Sequence, residues 1–180
     1  EYGYNTSPTV VIKEIHENPC STQGDDFDYE FVEIYNGGDL PADISGFEFY
    51  NSASGAPQLG YVFPEGTSLA VGEYVLMTVS DAGTANYSGL GVQIFQLELG
   101  NFSNGGEEVS IQDGFGNVVD AVTYADAAPW PAQTVAVLGN VLVQSPDGGC
   151  STLELIQTDL NNDDPDNWQA SWVDNGTPGA

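Results

Sequence analysis

The chain has 180 residues, a length that suits one domain and fits the size of a β-sandwich. Hydrophobic residues make up 41% and aromatic residues 11%, enough apolar surface to offset chain entropy and to exclude a disordered acidic tail. Lys13 is the one strongly basic side chain against 27 Asp and Glu, and the formal charge of −26 repels phosphate, which excludes direct binding to nucleic acid and docking on anionic lipid.

With 22 Gly and 10 Pro, turns are frequent, and between them lie short runs rich in Val, Ile, Tyr and Phe. In chain order these are Thr9 to Glu17, Tyr29 to Asn36, Gly46 to Tyr50, Tyr61 to Phe63, Glu73 to Ser80, Val92 to Leu99, Glu107 to Gln112, Val118 to Tyr124, Val135 to Gln144 and Ser151 to Gln157. Many short strands separated by turns predict an all-β sandwich or barrel. In the second run, Tyr29, Phe31, Glu33 and Tyr35 share one face and Glu30, Val32, Ile34 and Asn36 the other. Both faces carry apolar residues, which predicts a central strand. Residues 107–112 and 118–124 flank a link with glycines at Gly114 and Gly116, a hairpin signal. No window joins helical periodicity, caps and adequate length, so any helix should be a single turn, with Pro165 to Gln169 as the candidate.

No run reaches the ~18 to 20 consecutive apolar residues of a membrane span. The start of the chain lacks the basic and apolar regions of a signal peptide, and opening at Glu1 reads as a processed chain or an excised domain. Cys20 and Cys150 form an even pair beside turn residues. A disulfide between them would close a large loop in an oxidising compartment; two buried thiols are the alternative.

Two acidic clusters are candidate calcium sites. The first is Asp25, Asp26 and Asp28, in a loop entering the second strand, with Phe27 and Tyr29 expected to turn inward and push the carboxylates out together. Calcium takes six to eight oxygen ligands from flexible carboxylates and carbonyls. The second is Asp159, Asn161 and Asp163, with the one-three-five spacing of an EF-hand loop. Asp164 stands where that motif needs Gly and Ala170 where it needs Glu, so an EF-hand is rejected. Solvated loops and Asx turns account for the same residues without an ion.

Nothing specific points to catalysis. His16 is the sole histidine and lies in an alternating strand, where a packed ring is the expectation. Neither a nucleophile elbow nor a phosphate loop occurs. Glu14 and Glu33 lie on strands that can bring them together, but an acidic sandwich offers many such pairs. Trp130, Trp168 and Trp172 read as buried plugs or as an aromatic carbohydrate platform.

Several segments resemble one family: VVIKEIHENP at 10–19, DDFDYEFVEIYNG at 25–37, FPEGTSLAVGEY at 63–74, NGGEEVSIQD at 104–113, GNVVDAVTY at 116–124, APWP at 128–131, STLELI at 151–156, NNDDPDNW at 161–168 and GTPG at 176–179. They are similar to the lamin tail domain as it occurs in secreted bacterial proteins. The resemblance implies an immunoglobulin-like β-sandwich over residues 9–180, used as a non-catalytic extracellular or cell-surface module. Residues 132–149 are longer than the short turn expected there and predict an added hairpin around Gly139-Asn140, and residues 1–8 form a lead outside the motif. Tyr2, Tyr4 and Trp130 are candidate contact residues. The expected role is structural or adhesive, with other copies of the chain, an extracellular protein or a glycan as partner and divalent cations relieving repulsion between copies. A carbohydrate-binding accessory module of a secreted enzyme is the alternative.

Overall fold

The computed structural model describes residues 9–131, 133–137 and 140–180, with the backbone alone for 133–137 and 140–144. Its strands are β1 (Val10–His16), β2 (Phe31–Asn36), β3 (Ala42–Asp43), β4 (Glu48–Asn51), β5 (Gln58–Val62), β6 (Ser68–Leu69), β7 (Tyr74–Thr78), β8 (Gln93–Gln96), β9 (Gly106–Gln112), β10 (Val118–Ala125), β11 (Gln133–Val137), β12 (Asn140–Gln144), β13 (Leu153–Leu155) and β14 (Trp168–Ala170). Helix α1 covers Asp81–Tyr87. A six-stranded sheet in the order β14-β13-β1-β2-β7-β8 packs on a four-stranded sheet in the order β10-β9-β4-β5. Strands β3 and β6 form a small separate pair, and β11 and β12 form the added hairpin. The expected all-β sandwich is therefore present. The hairpin falls within the expected residues 132–149, with β11 starting at Gln133, two residues before the apolar run read from Val135, and its last described pair is Val137 with Asn140. Residues 1–8, with Tyr2 and Tyr4, lie outside the described residues.

Period-two alternation fixes which side chains meet between the sheets. Ile12, Ile15, Val32, Ile34, Val75 and Met77 from the large sheet pack in one core with Phe49, Val109, Ile111, Val122 and Tyr124 from the small one. The register between β1 and β2 shifts between Ile12 and Glu14, where β1 carries an extra residue. This β-bulge lets Ile12 and Ile15 both face the core and turns Glu14 to the outer face. The freed Ile12 amide donates to Asp120 Oδ2 on β10 at 2.6 Å.

The structure differs from the sequence reading at α1, which is longer than one turn. Ser80 caps it by accepting from the Gly83 amide at 2.9 Å. Tyr87 then packs with Phe31 and Leu76 on the outer face of the large sheet, and its hydroxyl donates to Tyr29 O at 2.7 Å. Seven residues are too few for apolar periodicity to register, and the helix is held by this packing. Residues Pro165–Asn167 do form the expected single turn, a 3-10 turn capped by Asp164. The sequence reading also missed β14, whose three residues Trp168, Gln169 and Ala170 pair with β13.

Candidate functional site

The sequence candidates are placed as follows. Asp25 accepts from the Phe27 amide at 3.2 Å and caps a 3-10 turn. Asp26 accepts from Asn104 Nδ2 at 3.0 Å, and Asp28 from Ser80 Oγ at 2.9 Å. These carboxylates are tied to different partners, and Phe27, expected to point inward, is exposed. In the second cluster Asn161 accepts from the Asp163 amide at 3.3 Å and Asp163 from the Thr123 amide on β10 at 3.1 Å. Asp159 lines a hollow of about 430 Å³ beside Gly37 and Leu160. Among the described residues no three His, Cys, Asp or Glu side chains are placed to share a metal ion.

The residue that matters most in that second segment is Asn162, which the spacing argument passed over. It is buried, donates to Asp120 Oδ2 at 2.7 Å, and accepts from Trp168 Nε1 at 2.7 Å. Asp120 thus receives both the bulged amide of β1 and this side chain, joining β1, β10 and the approach to β14. Trp130, read both as a buried plug and as a possible contact residue, is only 6% exposed, with its ring tilted against Trp168 at a centroid distance of 5.8 Å. It belongs to the core, and its amide closes a turn onto Ala127 O at 3.1 Å. Trp172 is 65% exposed. The cysteines are joined as a Cys20–Cys150 disulfide. His16 is fully buried, with Nε2 3.2 Å from Gln23 Oε1, and burial lowers its pKa to about 4.

The most unusual chemistry lies on the outer face of the large sheet. Strand register sets Glu14 opposite Glu33 on β2 and opposite Glu154 on β13, a row of three glutamates on adjacent strands. Residues 176–180 cross this row. Glu14 Oε1 accepts from Thr152 Oγ1 at 2.6 Å and from the Thr177 amide at 3.0 Å. Glu154 Oε1 accepts from Thr177 Oγ1 at 3.2 Å, and Glu33 Oε2 accepts from the Gly179 amide. Lys13 Nζ donates to Ala180 O at 2.6 Å, lies 3.8 Å from Glu33 Oε1, and sits 4.7 Å from the centroid of the Tyr74 ring. The GTPG segment is thus a clasp over buried carboxylates.

Burial dominates their electrostatics. It raises Glu14 to about 7, against hydrogen bonds from Thr152 and Thr177 that lower it. Burial, and then the neighbouring Glu14 charge, raises Glu33 to about 8. Two carboxyls tuned near neutrality are in principle a general acid and base. Here Glu14 is 1% and Glu33 0% exposed, so the pair faces the clasp instead of a substrate cleft. A recess of about 230 Å³ beside it is lined by Tyr74, Gly91 and Gly179 among others, without a nucleophile positioned by a base.

A family model described as Lamin Tail Domain matches residues 5–126, more than half of the chain. The chain belongs to the lamin tail domain family. The family is an immunoglobulin-like, non-catalytic structural module, in agreement with the sandwich and with the closed glutamate row. The matched segment ends at β10, yet β13 and β14 lie in the same sheet as β1, so that sheet is completed by residues beyond the match. No curated protein matches the chain. No helix among the described residues is long and apolar enough to cross a membrane.

Proposed function

We propose that this lamin tail domain is an extracellular structural or adhesive module that associates with other copies of itself. The observation carrying this reading is the tip of the β9–β10 hairpin. Phe115 there is 93% exposed, and Val118 beside it is also exposed. Phe115 is the most exposed large apolar side chain among the described residues, and with Val118 it stands on a strongly anionic surface. The tip is rigid: Asp113 Oδ1 accepts from the Phe115 and Asn117 amides, each at 2.9 Å, and Asp113 Oδ2 from Asn117 Nδ2 at 2.8 Å. A preorganised turn presents Phe115 to a partner at little entropic cost. The disulfide supports an oxidising location. Copies of charge −26 repel, so association requires salt or bridging cations.

Light scattering and electron microscopy across salt and calcium titrations test the reading. Association that is lost in Phe115→Ser, with an unchanged melting temperature, is expected. Monomers under every condition would overturn it. The carbohydrate reading has less support, since Trp130 and Trp168 are buried; a glycan array positive in calcium would favour it instead.

A further inference from the structure

Glu17 and Glu30 form a second buried acidic pair, separate from the clasp and from both acidic loops. The β1–β2 ladder ends with Ile15 opposite Val32 and His16 opposite Phe31. One further step sets Glu17 opposite Glu30, on the side of the strands that carries Ile15 and Val32 into the core. Glu17 is 1% exposed and Glu30 is fully buried. Both oxygens of Glu17 and Oε1 of Glu30 lack a hydrogen-bond partner; Glu30 Oε2 accepts from the Phe102 amide at 3.1 Å.

Among the described residues no basic group is available to this pair. Lys13 is engaged at the clasp, and His16 Nε2 is held against Gln23. The nearby carboxylates add negative charge: Asp147, Glu30 and Asp126 act on Glu17, and Asp26 and Glu107 on Glu30. Glu107 is itself satisfied, by the Ser103 amide at 2.9 Å and by Tyr124 Oη at 3.2 Å. Two opposed carboxylates inside a protein without a counter-charge are costly. Protonation of one carboxyl supplies a single hydroxyl, which satisfies itself and one acceptor on the opposed carboxylate and leaves the last of the three unpartnered oxygens as it was.

We propose that Glu17 and Glu30 together bind one calcium ion between the sheets, at the end of the sandwich closed by the Cys20–Cys150 disulfide. Two carboxylates balance a divalent charge, and an all-oxygen donor set selects a hard cation. Since no third acidic, His or Cys side chain converges among the described residues, main-chain carbonyls and water complete the shell. Calcium accepts such irregular mixed ligation, whereas magnesium demands near-octahedral geometry at shorter distances and gives up its waters reluctantly. The site does not depend on self-association; a monomer carries it equally well.

The test is calorimetric titration and thermal melting of chelator-treated full chain with calcium. One saturable site and a raised melting temperature are expected, both persisting in about 1 M NaCl, where the screening length falls to ~3 Å and diffuse surface binding disappears. Glu17→Gln or Glu30→Gln weakens binding by about tenfold or more, while Asp25→Asn/Asp28→Asn and Asp159→Asn/Asp163→Asn leave it unchanged. Absence of saturable binding, binding that vanishes in high salt, or loss in the loop variants with full retention in Glu17→Gln would overturn the proposal. The salt arm uses the unaltered chain, so it decides the matter even where a glutamine variant does not fold. Calcium binding by a chain that stays monomeric leaves this site standing and removes only the assembly reading.

Discussion

Glu14 and Glu33 stand opposite each other on adjacent strands, and the same short segment covers both, through the Thr177 and Gly179 amides. This makes the clasp sensitive to protons. The folded-state values, about 7 for Glu14 and about 8 for Glu33, lie above the ordinary 4.5. The native state therefore binds more protons than the unfolded chain between these limits, and stability falls as pH rises through them. Thermal melts should show a higher melting temperature near pH 5 than near pH 9, and Glu33→Gln should flatten that slope. A melting temperature that climbs steadily with pH would refute the assignment.

Asp120 should be among the costliest surface-to-core polar residues to lose. Asp120→Ala strips the partner of the Ile12 amide and leaves Asn162 Nδ2 with only the longer bond to Ile12 O, and a buried group left unsatisfied costs about 1–3 kcal/mol. Denaturant unfolding should place Asp120→Ala well below Thr123→Ala, an exposed neighbour on the same strand. Equal midpoints for the two variants would show that the bulge needs no such brace.

Gly176 tests the clasp without replacing a glutamate. Its φ is +74°, and an added Cβ would collide with Glu14 Oε1 and the Thr152 side chain. Gly176→Ala should lower the melting temperature and loosen residues 176–180, read as faster amide exchange at Thr177 and Gly179. Unchanged exchange at those amides would mean the segment is not held by this geometry.

The disulfide spans 130 residues, and the chain-entropy model assigns such a loop ~5 kcal/mol, which native strain and residual denatured structure reduce. Paired Cys20→Ser/Cys150→Ser substitution should lower the unfolding free energy by a large part of this. A change under about 1 kcal/mol would show that the ends are held together by packing alone.

Much of this lamin tail domain was legible residue by residue. Alternation in residues 29–36 marked β2 as central, and Asp113 to Asn117 marked the β9–β10 turn. Helix α1 left no such trace, because its weak helix formers are stabilised by Tyr87 settling on Phe31 and Leu76. The EF-hand-like spacing of Asp159, Asn161 and Asp163 drew attention to charged oxygens, while Asn162 between them turned out to bind Asp120 and Trp168. The opposed position of Glu17 and Glu30 follows from the register, which continues one step beyond the last pair; only the bulge before Glu14 hides it from a simple count.

The sequence alone determined the layered β architecture and the strong net negative charge, because two-residue periodicity and net charge are local or additive properties of the chain. Only the tertiary structure decided that Thr177 reaches Glu14 across 163 positions, which of the two readings of Trp130 holds, and that Glu17 and Glu30 are buried. Those facts depend on which strands become neighbours and what crosses their outer faces, and pairing between distant segments is not written in the pattern of any one of them.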